Sequence, residues 1–181
     1  MSKFIVIDTE TGGLDKDTHS LLSVGIVVYE NGVETLAETI YHKQSEYCVT
    51  PKAMEINRLS LSQVQNDGFN TEGLRREIYN IITHDVETNS SSEEPIFLGH
   101  NIQFDAHFLG KIDKNLVHHI MRNHIDTKAL ALHLFSKGKI PERRTGLADL
   151  CEYFGIPTDS HHDALVDARM TYQLYLALRE L

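Results

Sequence analysis

Tryptophan is absent from this sequence of 181 residues, and cysteine (2) and proline (4) are scarce. The two cysteines, Cys48 and Cys151, form no CxxC motif and have no closely spaced histidine, which argues against a disulfide scaffold and against a zinc site. No segment approaches the run of about 20 apolar residues that a membrane-spanning helix needs. The N-terminus also lacks the basic segment and apolar run of a signal peptide. These absences predict a soluble, cytoplasmic protein with no membrane partner.

Positive charge is also in short supply, because 17 Lys and Arg stand against 26 Asp and Glu and leave a net charge of −9. A protein that coats long nucleic acid needs a basic face, so the charge disfavours this class. An enzyme that holds only a few nucleotides remains compatible, since a bound metal ion can supply the positive charge. The one local basic cluster, residues 137–144, either contacts substrate phosphates or forms a solvated loop.

The first part of the chain has the pattern of three strands. Residues 4–7 are a continuous apolar run, as in a central strand that is buried on both faces. Residues 22–29 and 34–42 predict two further strands, and Asn31-Gly32 between them is a strong hairpin signal. We therefore expect an antiparallel meander.

The remainder of the chain alternates helical and extended patterns. Helices are predicted over 51–58, 71–84 (with Thr71 as the N-cap), 104–111, 146–154 and 163–179. A strand is predicted over 95–99, and a short strand running into a helix over 124–135. An exposed loop is predicted over 85–94. This order is typical of an α/β protein with a mixed sheet and helices on its faces. No repeat or linker divides the sequence, so residues 1–181 are expected to form a single domain.

Acidic residues follow these elements in a pattern that indicates metal-dependent chemistry. Asp8 and Glu10 are two apart on a strand and share one face, where a cation such as Mg²⁺ or Mn²⁺ would offset their repulsion. Asp105 opens a helix, and His162 and Asp167 flank the start of the last one. Each alone has an ordinary explanation as a strand-end or capping residue. A two-metal phosphodiester hydrolase needs four carboxylates and a histidine that accepts a proton from water. These five residues would meet that need if they converge at one edge of the sheet.

Three segments carry a family resemblance: Asp8-Thr-Glu10-Thr-Gly-Gly-Leu14, His100-Asn-x-x-Phe-Asp105 and His162-Asp-Ala-Leu-Val-Asp167. They resemble, in the same order, the three exonuclease motifs of the DEDDh 3′–5′ exonucleases, the group of polymerase proofreading subunits, exonuclease X, ribonuclease T and oligoribonuclease. The resemblance extends over nearly the whole chain. It implies a ribonuclease-H-like fold, in which a mixed five-stranded sheet, an antiparallel meander followed by parallel strands, is flanked by helices.

The resemblance also implies roles for individual residues. The implied ligands of two Mg²⁺ or Mn²⁺ ions per site are Asp8, Glu10, Asp105 and Asp167. The implied general base is His162 rather than its neighbour His161. The implied substrate contacts are Thr11, Gly12, Gly13, Leu14, Ile56, His100, Asn101, Phe104 and Phe108. Leu14 is expected against a base, and one of the two phenylalanines is expected to stack on or wedge a base, with core packing as the alternative for Phe108.

The expected function is a metal-dependent 3′–5′ exonuclease that acts on single-stranded 3′ ends, with DNA favoured. One alternative is an exoribonuclease on short RNA or RNA 3′ ends, because the motifs do not reveal contacts to a 2′-hydroxyl. An alternative of another class is an interaction subunit associated with a polymerase. An inactive nucleic-acid binder is disfavoured because all five chemical residues are present. Proofreading would place the chain in a replication or repair complex, and homodimers occur in the family.

Overall fold

A mixed five-stranded sheet carries the fold. The computed structural model describes residues 3–83, 94–142, 144–158 and 162–181. Within them, the strands are β1 (Lys3–Thr11), β2 (Leu21–Glu30), β3 (Val33–Tyr41), β4 (Ile96–Gly99) and β5 (His124–Asp126). The helices are α1 (Pro51–Asn57), α2 (Leu61–Asp67), α3 (Thr71–Thr83), α4 (Gln103–Leu109), α5 (Lys114–Arg122), α6 (Thr127–Ser136), α7 (Leu147–Tyr153) and α8 (Ala164–Arg179). The strand order across the sheet is β3-β2-β1-β4-β5.

The strand pairing follows the predicted plan. Strands β1, β2 and β3 pair in antiparallel fashion, whereas β4 pairs in parallel with both β1 and β5. Asn31 and Gly32 join β2 to β3 with φ angles of 53° and 84°, the left-handed conformations that a tight hairpin turn of type I′ requires. The predicted fold class, a ribonuclease-H-like mixed sheet with helices, is confirmed.

The central strand β1 is buried on both faces, which explains its continuous apolar run. Ile5 and Ile7 belong to the core on the side of α3, α4 and α5. Phe4 and Val6 belong to the core on the other side, together with Tyr172 of α8. Since alternate side chains of a strand point to opposite faces, the even-numbered positions of β1 face α8 and the odd-numbered positions face α4. This alternation continues into the polar end of the strand.

A glycine in β2 allows α8 to approach the sheet beside this polar end. Gly25 pairs with Asp8 in the register of β1 and β2. A Cβ atom at Gly25 would lie 2.4 Å from the carbonyl carbon of Ala164, the first residue of α8. Any larger residue would therefore push the start of α8 away. Because α8 carries Asp167, the contact at Gly25 controls how closely Asp167 can approach Asp8.

The start of α3 differs from the prediction. Thr71 was the predicted N-cap, but the side-chain oxygen of Asn70 accepts the hydrogen bond from the backbone N–H of Gly73 at 2.9 Å. Thr71 instead lies inside the helix, with its hydroxyl 3.2 Å from Nε2 of His42. The N-cap prediction is wrong by one residue, because Asn and Thr both cap helices and the sequence offers both in succession.

Two helices, α2 and α5, have no counterpart in the sequence prediction. Helix α2 buries Val64 alone, too few apolar positions for a helical period to stand out. Helix α5 does carry apolar residues at helical spacing, Leu116, Val117, Ile120 and Met121, and the sequence prediction missed this signal. The loop predicted over 85–94 lies outside the described residues, apart from Glu94, which is exposed. Across the segments that the structure describes, no helix is both long and apolar enough to cross a membrane.

Replacing Gly25 by alanine tests the contact between α8 and the sheet. We expect Gly25→Ala to lower the free energy of unfolding by about 2–3 kcal/mol, because the new methyl group overlaps backbone that cannot move freely. Gly110→Ala is the matched control, since a Cβ atom there would lie 3.3 Å from its nearest neighbour, at a φ of −62°. Urea denaturation measures both variants. Equal stability of the two would contradict the proposed role of Gly25.

Candidate active site

Three carboxylates converge at the end of β1. Asp8, Glu10 and Asp167 each offer an oxygen, and these oxygens lie within 4.8 Å of one another. Asp8 and Glu10 occupy even-numbered positions of β1 and therefore point towards α8, whose first turn carries Asp167. Glu10 and Asp167 are only 9% and 8% exposed. The sheet and the last helix thus bring together three of the four predicted metal ligands.

The fourth predicted ligand, Asp105, lies next to this group on the first turn of α4. It is 3% exposed, and its Oδ1 accepts a hydrogen bond of 2.7 Å from the hydroxyl of Thr9. Thr9 occupies an odd-numbered position of β1 and so faces α4. Sequence reasoning missed Thr9, because no local signal links two residues that are 96 positions apart.

In the absence of a cation, the four carboxyls keep their protons to a higher pH than ordinary carboxyls do. Burial is the largest cause, and it raises the pKa of Asp8 well above its usual value, that of Glu10 to about 8, that of Asp105 to about 7 and that of Asp167 to about 6. The charges of Asp105 and Asp167 raise the pKa of Asp8 further. The Thr9 hydrogen bond acts in the opposite direction on Asp105. A divalent cation with oxygen ligands fits this donor set, since it would replace the protons and remove the repulsion.

His162 is held directly against this cluster through its backbone. Its N–H lies 3.3 and 3.2 Å from the two carboxylate oxygens of Asp167. Its φ angle of 75° is in the left-handed region, which is uncommon for a residue with a side chain and costs of order 1–3 kcal/mol. The next residue, Asp163, caps α8 by accepting hydrogen bonds from the N–H groups of Leu165 and Val166. The helix cap and Asp167 together fix the backbone at His162.

A largely apolar cavity of about 510 Å³ opens beside Glu10, and we call it the catalytic cavity. Its walls come from the end of β1, the loop that follows it, α1 and α4; the lining residues are Thr9, Glu10, Thr11, Gly13, Leu14, His19, Thr50, Lys52, Ala53, Ile56, Asn57 and Phe104. Leu14 and Ile56 are 87% and 37% exposed. The volume is within the usual range of small-molecule sites, and exposed apolar side chains beside it offer a surface for a flat ligand.

Five of the predicted substrate contacts line this cavity; they are Thr11, Gly13, Leu14, Ile56 and Phe104. Phe108 does not, because it is fully buried in the core. The expectation that Phe108 contacts substrate is therefore wrong, and its alternative, core packing, is correct. A stacking role on a base is left to Phe104, whose ring centroid lies 5.0 Å from that of Phe108.

His100 and Asn101 hold the turn between β4 and α4 and are not among the lining residues of the catalytic cavity. Nε2 of His100 donates to the carbonyl of Thr145 at 2.8 Å, and its Nδ1 lies 2.9 Å from the hydroxyl of Thr127. The N–H of Asn101 donates to Oδ1 of Asp126 at 2.9 Å. These bonds fix the turn that leads to Asp105, so both residues act on the site through its geometry.

Gly12 holds the loop after β1 in place through its backbone. Its N–H donates to the carbonyl of Ser20 and its carbonyl accepts from the N–H of Thr50, both at 2.7 Å. A Cβ atom on Gly12 would lie 2.3 Å from the carbonyl oxygen of Cys48. The glycine is therefore required by the close approach of the segment around Cys48, and it is absent from the cavity lining.

Helix α1 supplies cavity residues that the sequence did not predict. Asn57 is buried, and its Nδ2 donates to the carbonyl of Thr11 at 3.2 Å. Thr50 caps α1 by accepting from the N–H of Ala53. The cap itself can be recognised in Thr50-Pro51, but its position against the end of β1 arises from contacts between segments about 40 residues apart.

The Thr9 hydrogen bond can be tested through stability. Thr9→Val keeps the shape of the side chain but leaves the buried Asp105 without its hydroxyl donor, so we expect the free energy of unfolding to fall by about 1–2 kcal/mol. Thr9→Ser retains a hydroxyl and serves as the matched control with a smaller loss. Chemical denaturation in Mg²⁺ distinguishes them. If the two variants are equally stable, the hydrogen bond contributes nothing measurable.

The raised pKa values also predict how stability depends on pH. The folded chain holds more protons on these carboxyls than the unfolded chain. Their contribution to the free energy of unfolding is therefore full below about pH 4 and is lost as the pH rises through about 6 to 8. We expect the melting temperature in chelator to fall over this range, and Mg²⁺ to restore most of the loss at pH 8. Asp8→Asn should flatten the pH dependence. A melting temperature in chelator that is constant from about pH 5 to 8 would contradict the repulsion.

Comparison with known proteins bears on the identity of this site. Residues 5–175 match the sequence model of the RNase T exonuclease family. The PolC-type DNA polymerase III of Thermotoga maritima is 29% identical over 180 residues, which cover 98% of this chain and 12% of the polymerase. Ribonuclease T of Blochmanniella pennsylvanica is 25% identical over 189 residues, which cover 96% of this chain and 82% of that enzyme. The chain thus spans a small part of the polymerase and most of the length of ribonuclease T.

The fold also has solved counterparts. Exonuclease I of E. coli, in a crystal structure with a dT13 oligonucleotide, superposes with a TM-score of 0.77 at 20% identity; the match covers 99% of this chain and 41% of exonuclease I. This similarity shows a shared fold. The family match extends from within β1 into α8 and so includes all three motifs, which confirms the resemblance drawn from the sequence. This chain belongs to the RNase T exonuclease family.

Proposed function

We propose that this chain is a metal-dependent 3′–5′ exonuclease that hydrolyses phosphodiester bonds from the 3′ end of single-stranded nucleic acid. The observation that carries the proposal is the cluster of Asp8, Glu10 and Asp167, with oxygens within 4.8 Å of one another, beside an open apolar cavity that Glu10 lines. A cluster of this kind suits phosphate chemistry with hard cations. The adjoining cavity suits one terminal nucleotide.

In this proposal, Asp8, Glu10, Asp105 and Asp167 would hold two Mg²⁺ or Mn²⁺ ions. When bound, the ions supply Lewis-acid stabilisation to the attacking and leaving oxygens of the phosphodiester. His162 accepts a proton from the attacking water, and the hydrogen bonds from its N–H to Asp167 hold its backbone in place. Leu14, Ile56 and Phe104 receive the terminal base without reading its identity, because apolar and stacking contacts accept every base.

DNA is the favoured substrate, supported by the 29% identity to a PolC-type DNA polymerase III. The same similarity supports a place in a replication complex. RNA 3′ ends are the second candidate, supported by the 25% identity to ribonuclease T over most of its length. The two candidates share the phosphodiester backbone and differ in the sugar and in the methyl group of thymine, so the same cluster and cavity would serve both.

The proposal is tested with single-stranded DNA and RNA of one sequence, labelled at the 5′ end and incubated with Mg²⁺ or with chelator. We expect a ladder of products shortened from the 3′ end in Mg²⁺ and no shortening in chelator, with DNA degraded faster than RNA. A circular single strand should survive, because an exonuclease needs an end. Cleavage of the circle would indicate an endonuclease. If neither linear strand is shortened, the proposal is overturned.

Site variants test the assigned roles. Asp8→Asn should abolish activity by removing a metal ligand. His162→Ala should lower kcat by about 10²–10⁴-fold, as expected for loss of a general base, while Mn²⁺ affinity measured by calorimetry stays unchanged. His161→Ala is the matched control and should retain the wild-type rate. A loss of Mn²⁺ affinity in His162→Ala would make His162 a ligand instead of the base.

A further inference from the structure

A second cavity, of about 330 Å³, lies between the loop after β1 and helices α4 and α5. Four basic side chains line it, and we call it the basic cleft; they are Lys16, His107, Lys111 and Lys114. All four are exposed. One acidic residue, Asp17, is also among the lining residues that the structure describes. On a chain with a net charge of −9, three lysine ammonium groups beside one carboxylate give this concave surface a local excess of positive charge.

The lysines of the basic cleft have no carboxylate partner among the described residues, unlike several arginines of the protein. Arg75, Arg122 and Arg169 form ion pairs with glutamates at 2.6 to 2.8 Å. As far as the described residues go, no ion pair involves Lys16, Lys111 or Lys114. The lysines contact a ring nitrogen and a carbonyl instead: Nζ of Lys16 lies 3.2 Å from Nε2 of His107, and Nζ of Lys111 donates to the carbonyl of His19 at 2.7 Å. Their charge is therefore available to an anion from outside.

The basic cleft and the catalytic cavity are linked through the loop that follows β1. His19, whose carbonyl binds Lys111, also lines the catalytic cavity, and its ring packs against Gly13 so closely that a Cβ atom there would lie 2.6 Å away. Lys16 follows Leu14 by two residues. His107 follows Asp105 by two residues on α4. The loop of residues 13–19 thus contributes lining residues to both concavities.

We propose that the basic cleft binds backbone phosphates of the substrate strand, on the 5′ side of the nucleotide that occupies the catalytic cavity. This inference rests on the proposed exonuclease function, since it extends the same strand from one cavity to the next. Lysine ammonium groups bind phosphate as point charges and ignore the base. Such contacts retain a strand of any sequence, which suits an enzyme that removes successive nucleotides.

The test compares two double variants that remove the same charge. Lys16→Gln with Lys114→Gln changes the basic cleft, and Lys111 is kept because it fixes His19. Arg122→Gln with Arg179→Gln changes two exposed arginines outside both cavities. KM and kcat are measured with Mg²⁺ on a dinucleotide and on a single strand of about 12 nucleotides, over a range of salt concentrations.

For the cleft variant we expect KM on the long strand to rise about fivefold with kcat unchanged. The slope of log KM against log salt should decrease by about 1.4, or roughly 0.7 for each lost phosphate contact on a single strand. The dinucleotide, which is too short to reach the cleft, should be hydrolysed as by the wild type. The control variant should match the wild type in all three measurements.

Equal KM and salt slope for the cleft and control variants, with activity intact, would overturn the cleft proposal and leave the exonuclease proposal standing; the basic cleft would then be open to an acidic protein partner. If the wild type degrades no substrate, the exonuclease proposal fails. In that case, fluorescence anisotropy with the same labelled long strand tests the cleft separately. The cleft variant must then bind more weakly than the control variant, and equal affinity overturns the inference.

Discussion

The burial of like charges at the end of β1 is the constraint around which the rest of this protein is arranged. Three carboxylates whose oxygens lie within 4.8 Å of one another oppose folding unless protons or cations offset their charge. In the part of the chain that the structure describes, no lysine or arginine forms an ion pair with these carboxylates. The fold retains the negative potential at one edge of the sheet, where a divalent cation is the natural counter-charge.

The geometry of that cluster follows from the two-residue repeat of a single strand. Phe4 and Val6 anchor one face of β1 against α8, and the same face then presents Asp8 and Glu10 to the first turn of that helix. The opposite face passes from apolar side chains to a threonine that reaches the helix carrying the fourth carboxylate. One strand therefore aligns groups from both sides of the sheet, and its apolar half makes the alignment rigid.

Much of this could be predicted from the sequence where the signal is local. Three signals each lie within a few consecutive residues: the continuous apolar run of β1, the Asn-Gly hairpin and the acidic motifs. The spacing within each motif also fixed which carboxylates to expect, although the contact that brings α8 to the strand depends on Gly25, which has no motif around it.

Signals that arise only from the folded chain could not be read in this way. Phe104 and Phe108 are four apart on one helix, and the sequence alone does not determine which faces the core. The histidine of the second motif was expected to contact substrate, whereas both of its ring nitrogens lie within hydrogen-bond distance of groups that fix a turn. The lysines of the basic cleft come from two distant segments, so no charge run marks them. Contacts of this kind depend on tertiary packing, and the periodicity of apolar residues in the sequence does not reveal them.

The exposure of Leu14 has a consequence for the strands that the site can accept. Its side chain leaves 87% of its surface to water at the mouth of the catalytic cavity. A base that covers one leucine gains about 1.5–3 kcal/mol, or roughly 10- to 150-fold in affinity. Under the proposed function, Ile56 and Phe104 would add to this gain, since they line the same cavity. Because an apolar side chain accepts every base, each nucleotide that becomes the new 3′ end would find the same contact, whatever the sequence of the strand.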